Sequence, residues 1–135
     1  MSITSIRAAL ETRLAAMSPA LATAYENVPY APVLGTPFQA VYLLPATPDN
    51  STMGDGHYVE QGIFQVSLFY PLQAGPKAAA DRAELIRTQF KRGTSMTSGS
   101  VTVRIMRTPE IGQGRVDGDR WHIPVKCVYF AEITT

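Results

Sequence analysis

The final part of the chain alternates between apolar and other residues, and this alternation constrains the fold more than any other feature. From Trp121 to Ile133 every odd-numbered residue is apolar, whereas His122 and Lys126 stand at even-numbered positions. Successive side chains of a β-strand point to opposite faces of the sheet. The run therefore predicts a long strand with one face in the core. Pro124 lies within the run and has no amide proton, so we expect this strand to be at a sheet edge, bulged or kinked there.

A second alternating run lies in the middle of the chain. Within the stretch from Tyr58 to Tyr70, the residues Phe64, Val66, Leu68 and Tyr70 alternate with Gln65, Ser67 and Phe69, which predicts another strand with one apolar face. The Asp117-Gly118 pair separates two further runs in the way that a tight hairpin turn does. Shorter strands are predicted over residues 22–28, 38–44 and 101–105.

Two segments have apolar residues at helical spacing. The first stripe consists of Ile3, Ile6, Leu10, Leu14 and Met17, and the second of Ala79, Ala83, Ile86 and Phe90. Intervals of three and four residues place each stripe on one face of a helix. Pro76 suits the first turn of the second helix, and Gly93 suits its end. Because strands and helices do not alternate regularly, the sequence predicts an α+β fold, with a mainly antiparallel or mixed sheet of about five strands and two helices packed on one face.

Two polar segments separate these elements. Residues 45–56 (PATPDNSTMGDG) and 93–100 (GTSMTSGS) are rich in turn-forming residues. We expect the first to be a mobile surface loop and the second a flexible connector. Both are candidates for segments that become ordered on contact with a partner.

The composition fits one domain that spans residues 1–135, with 45% hydrophobic residues. One Cys and two His cannot build an internal disulfide or a four-ligand zinc site, so we expect no metal and no cofactor. No apolar run approaches ~20 residues, so we expect no membrane partner.

The charge is distributed unevenly along the chain. The net charge is +1, yet residues 1–75 carry two Arg and five acidic residues, whereas residues 76–135 carry ten Lys and Arg and six acidic residues. A subunit with one acidic and one basic half is suited to head-to-tail contact with copies of itself.

The sequence contains none of the common catalytic motifs. The phosphate-binding loop, the serine nucleophile elbow and the H-E-x-x-H zinc motif are missing, so we predict that the protein is not an enzyme. An alternative from another class, a small enzyme or ligand-binding domain, would have to use His57, Asp55 and His122.

Charged residues outside the apolar patterns are the candidates for an interface. The second predicted helix carries cations, Arg82 among them, opposite its apolar stripe. Two interpretations stay open for these cations, a solvated surface or a face directed at an acidic partner or DNA. The candidate interface or lumen residues are Arg87, Lys91, Arg92, Arg104, Arg107, Asp49 and Asp55.

Three stretches together cover nearly the whole chain and carry a family resemblance. They are SITSIRAALETRLAAM, GIFQVSLFYPLQAGPKAAADRAELIRTQFKRG and RTPEIGQGRVDGDRWHIPVKCVYFAEI. Their order of aromatic strand, Tyr-Pro break, Ala-rich helix and F-x-R-G stop resembles the tail terminator proteins of long-tailed bacteriophages, the family related to minor tail protein U.

The resemblance implies an α+β subunit that assembles, typically as a hexameric ring, on the last ring of the tail tube. There it would stop polymerisation and present a surface for the head to join. The implied partners are further copies of the chain, the tail tube protein and a head-tail connector, with DNA passing transiently through the lumen. The implied location is the virion tail of a phage or prophage, after assembly in the host cytoplasm. Neck proteins share parts of the pattern, so a head-tail neck connector stays open as an alternative.

Overall fold

The fold is known from a computed structural model, which describes residues 2–18, 20–32, 35–50, 54, 56–72 and 75–134. The described residues form two helices and eight strands, so the predicted α+β class is confirmed, and the sheet has more strands than expected. In chain order the elements are α1 (Ser2–Ala15), β1 (Ala22–Ala24), β2 (Phe38–Pro45), β3 (His57–Pro71), α2 (Lys77–Gln89), β4 (Ser95–Ser98), β5 (Val101–Ile105), β6 (Glu110–Ile111), β7 (Arg115–Asp117) and β8 (Arg120–Thr134).

A single curled, mixed sheet holds all the strands. The order across it is β1-β2-β3-β8-β5-β4, and β6 and β7 pair with β8. β1 runs parallel to β2, and the other pairs are antiparallel. The β3–β8 ladder is the longest, since it extends from the pair His57 and Thr134 to the pair Pro71 and Arg120.

β8 lies inside the sheet, and the expectation that its proline marks an edge, bulge or kink is wrong. Pro124 faces Ser67 of β3 in an unbroken register. Its carbonyl accepts a 2.8 Å hydrogen bond from the Gly112 amide on the other side. Because the N–H and C=O of a strand residue point to the same side, the missing donor of Pro124 also faces away from β3. On that side Pro124 lies opposite Gly112, so the pair keeps one hydrogen bond and lacks the second, to the Gly112 carbonyl, at the point where β6 ends.

Both helices cover the same face of the sheet, as the sequence predicted. α1 packs over β4 and β5, and α2 packs over β3 and β8. The two apolar stripes are buried there, except that Ile3 is 36% exposed at the start of α1. Arg13 and Gln89 join the helices through two hydrogen bonds of 2.8 and 2.9 Å, each from one side chain to the other residue's carbonyl. No helix in the described part of the chain is long and apolar enough to cross a membrane.

Residues 93–100 are not the flexible connector that their composition suggested. β4 forms an antiparallel hairpin with β5 and becomes one outer strand of the sheet. Met96 on this strand is 9% exposed and belongs to the core. The polar segment is thus held as a strand by its pairing with β5 and by one buried apolar side chain.

The polar segment 45–56 is partly attached to β3. The Ala46 amide donates to the Gln61 carbonyl at 2.8 Å, and Asp49 exchanges two backbone hydrogen bonds with Val59. These bonds extend the sheet beyond the end of β2. The expectation of a mobile loop is therefore wrong for residues 46–49.

Candidate functional site

The sheet face without helices carries an apolar row across its width. Directly opposite residues of neighbouring strands share a face. Leu44 lies opposite Ile63, and Ile63 lies opposite Val128, whose carbonyl accepts a 2.9 Å hydrogen bond from the Met106 amide. Neighbouring positions, such as Phe64, point to the helix side and are buried in the core. We call Leu44, Ile63, Val128 and Met106 the apolar row.

The two ends of the apolar row are exposed to solvent. Leu44 is 47% exposed at the β2 end and Met106 is 40% exposed beyond β5, whereas the middle two residues are half-buried. Tyr42, 40% exposed, adds to the row on one side, and half-buried Phe130 adds to it on the other. The helix-free face of a two-layer protein is expected to be polar. An apolar row is therefore unexpected on this face.

A basic groove lies at the Met106 end of the row. The groove has a volume of about 520 Å³ and is lined by Arg92, Met106, Arg107 and Thr108. Arg87 supports its wall, because its Nε donates a 3.1 Å hydrogen bond to the Pro109 carbonyl. We call these four lining residues the basic groove. The structure thus brings together Arg92 and Arg107, which come from the end of α2 and the β5–β6 connection.

The other candidate residues lie apart from the basic groove. Lys91 is exposed just after α2. Arg104 is exposed on β5 opposite Phe130, on the helix-free face. Asp49 lies beyond the end of β2, on the far side of β3 from the groove. Asp55 is outside the described residues.

The Leu44 end of the row is bordered by an acidic side chain. Glu26 follows β1, and its carboxylate accepts a 2.6 Å hydrogen bond from the Leu43 amide at the free edge of β2. Arg7 of α1 donates to the same oxygen at 3.0 Å and lies 3.5 Å from the Glu11 carboxylate. Burial alone would raise the pKa of Glu26, but the hydrogen bonds from Leu43 and Arg7 outweigh it and lower the pKa. Glu26 is therefore ionised, and the Arg7 guanidinium 3.0 Å away balances its charge.

Arg82 was expected on the solvated face of its helix, and this expectation is wrong. It is 4% exposed and lies among the buried residues of α2. Burial lowers its pKa, and the neighbouring Tyr70 opposes that shift. The helical spacing is consistent with this burial, because Arg82 lies three residues after Ala79 and four before Ile86, on the same side of the helix.

The histidine pair of the alternative enzyme hypothesis is not assembled. His57 pairs with Thr134 at one end of the β3–β8 ladder, whereas His122 pairs with Phe69 near the other end. The stretch of β3 between these positions spans about 40 Å at ~3.3 Å per residue. A catalytic pair of His57 and His122 is therefore excluded within one subunit.

His122 is instead part of a ring stack on the helix-free face. Its ring lies 4.7 Å from that of Phe69, which lies 4.9 Å from that of Phe38. His122 is 6% exposed. Burial and the charge of Arg115 lower its pKa, and Asp117 opposes them. This histidine is a packing residue in its neutral form.

No group of side chains that would hold a metal ion is found within the described residues. Cys127 is fully buried, and burial raises its pKa to about 12. A thiol in this state is a packing group, because the thiolate is the nucleophilic form.

Solved structures share this fold over their whole length. One structure without a descriptive name is 28% identical, with a TM-score of 0.80 over 100% of this chain and 99% of the other. A chain from the virion of a native gene transfer agent particle is 17% identical, with a TM-score of 0.62 over 98% and 97% of the two chains. At that identity the second likeness shows the fold alone. No curated protein sequence matches the chain.

The comparison with family models identifies a particular family, whereas the comparison with solved structures identifies only a shared fold. A family model described as phage tail terminator protein matches residues 5–129, which include α2, most of α1 and all of the sheet except the last positions of β8. The predicted resemblance is thereby confirmed. The chain belongs to the phage tail terminator protein family and is a structural protein of the virion tail.

Proposed function

We propose that the protein caps the tail tube as an oligomeric ring, typically a hexamer in this family, which stops tube polymerisation and provides the surface that the head joins. The observation that carries the proposal is the family match over residues 5–129. A match to a gene transfer agent virion over 98% of the chain supports the use of this fold in a particle. Assembly would take place in the host cytoplasm, with the tail tube protein and a head-tail connector as partners.

The arrangement of charge supports self-assembly into a ring. A ring requires that one patch of the subunit meets a different patch on the next copy. Strands β1, β2 and β3 come from the acidic part of the chain and occupy one side of the sheet, whereas β8, β5 and β4 come from the basic part and occupy the other. A contact between acidic and basic residues of neighbouring copies would favour the head-to-tail arrangement that a ring needs.

The candidate cations would serve either the subunit interface or the lumen. Arg104 on the helix-free face and Lys91 beyond α2 are exposed. A few such charges along a lumen would attract passing DNA without holding it, because affinity for phosphates grows with the number of contacts. The basic groove has a more specific role, which is proposed below.

Tail length tests this function. We expect tails made without this protein to be overlong by electron microscopy, because nothing stops the tube, and we expect the native gene in trans to restore the usual length. Tails of normal length that remain unattached to heads would instead identify a head-tail neck connector. Tails of normal length already joined to heads would contradict both roles.

A further inference from the structure

The apolar row ends at Leu44 on one side of the sheet and at Met106 on the other, and both ends are exposed to solvent. Leu44 and Met106 are large apolar residues, 47% and 40% exposed, on a face that no helix covers. Exposed apolar surface that is continuous across several strands marks an interaction site. The row also joins the acidic side of the sheet to the basic side, since β2 carries Leu44 and the connection after β5 carries Met106.

The two ends have complementary charge. At the Leu44 end, exposed Asp49 follows a few residues after β2, whereas Glu26 is already paired with Arg7. At the other end, Arg92 and Arg107 line the groove beside Met106. Neither arginine makes an ion pair or a side-chain hydrogen bond within the described ranges. A second copy of the chain therefore offers the groove both an apolar side chain and negative charge.

We propose that the Leu44 end of the apolar row of one subunit packs into the basic groove beside Met106 of the next subunit, so that the row continues from copy to copy. The proposal rests on the ring function above and identifies the surfaces that form the ring. The apolar ends supply the buried area, and Asp49 faces Arg92 and Arg107 across the contact.

Cysteine crosslinking in assembled tails tests the contact. A chain carrying both Leu44→Cys and Met106→Cys replaces the native chain, and purified tails are treated with a short bismaleimide. Native Cys127 is fully buried and does not compete before unfolding. We expect the monomer band at 14.7 kDa to be lost into a ladder of multiples on a denaturing gel.

Matched variants separate this contact from others. An equal mixture of chains with one substitution each is expected to give crosslinked dimers and nothing larger, because each chain then has one reactive end. Either single variant alone is expected to stay monomeric. A control chain with Leu85→Cys and Val116→Cys, two exposed apolar residues outside the row, is expected to form no ladder.

Three results would overturn the proposal. Dimers from Met106→Cys alone would show a contact between like surfaces, and crosslinks to the tube protein would show that the row binds the tube. Uncrosslinked monomer in tails of normal length would show that the two ends do not meet. Tail length tests the capping function independently of the contact. If tails made without the protein are overlong, the capping function is supported whichever crosslinks form.

Discussion

Gly62 is the residue at which β2, β3 and β8 approach too closely for any side chain. A methyl group there would meet the Leu44 carbonyl and lie 2.7 Å from the Tyr129 hydroxyl. The backbone oxygen has no room to move, because Leu44 is paired with Ile63 in the ladder. The glycine is thus required by the sheet and not by a turn.

We expect Gly62→Ala to lower the free energy of unfolding by about 2 kcal/mol, through overpacking of a well-packed site. Urea unfolding measures this as a lower midpoint with an unchanged slope. Gly56→Ala is the matched control, since no atom lies within 4 Å of its added methyl group, and its effect should stay within about 0.5 kcal/mol. Equal effects of the two substitutions would contradict the close approach at Gly62.

His122 gives the subunit a pH dependence of known sign. Its pKa in the folded state is below the ordinary value of 6.5 because of burial and Arg115, against the opposing effect of Asp117. At a pH between the folded-state and unfolded-state pKa values of His122, the unfolded chain binds the proton more readily than the folded chain. The stability that neutral His122 contributes is therefore present above pH 6.5 and is lost as the pH falls.

We expect His122→Phe to remove this loss between pH 7 and pH 5. At pH 7 the variant should be within about 1.5 kcal/mol of the native chain, because phenylalanine preserves the stack on Phe69. Urea unfolding at both pH values measures the difference. A variant that loses as much stability on acidification as the native chain would show that other groups cause the effect.

At the scale of elements, β4 shows how one contact determines the state of a polar segment. Its sequence, SMTS, has little apolar content, and its buried side chain is Met96. The α1 helix packs over this strand and supplies the apolar surface that Met96 covers. The strand is therefore stabilised by its partner and not by its own propensity.

Met96→Ala should lower the free energy of unfolding by about 2–3 kcal/mol, since it deletes most of a buried side chain. Ser95→Ala, at an exposed position of the same strand, should change it by less than about 0.5 kcal/mol. Thermal or urea unfolding gives both values. If the two substitutions had equally small effects, residues 93–100 would behave as the connector that composition suggested.

At the scale of the whole molecule, the separation of charge is the property that an assembly would use. The strands from the acidic part of the sequence lie at one end of the sheet and those from the basic part at the other, while α1 packs over β4 and β5. A head-to-tail contact between such sides is attractive at long range, and salt screens it over a Debye length of about 10 Å at 0.1 M.

We expect self-association to slow about tenfold between 50 mM and 500 mM salt, because electrostatic steering is lost. Light scattering after dilution into each buffer measures the rate. Arg107→Glu, in the basic groove, should be slow in both buffers and show little salt dependence. A native chain whose rate is insensitive to salt would show that apolar contact alone drives assembly.

The sequence indicated several residues of the candidate site individually, but it did not indicate which of them lie together. Arg92 and Arg107 were named from their charge, yet nothing in the chain indicated that they line one groove while Arg104 lies on the helix-free face. Leu44 and Met106 were missed, because each stands alone in the sequence among residues of other types. The signal that would have found them is the register of β2, β3 and β8, which no local pattern contains.

The sequence by itself determined the long strands, both helices and the side of each that enters the core. Side-chain direction repeats every two residues in a strand and every 3.6 in a helix, so an apolar pattern indicates both the element and its buried face. Only the tertiary structure decided which strands are neighbours, where Pro124 is tolerated and which residues form the apolar row and the basic groove. These features depend on hydrogen-bonded pairing between residues far apart in the chain. The apolar pattern of one strand does not indicate which strand pairs with it or in which register.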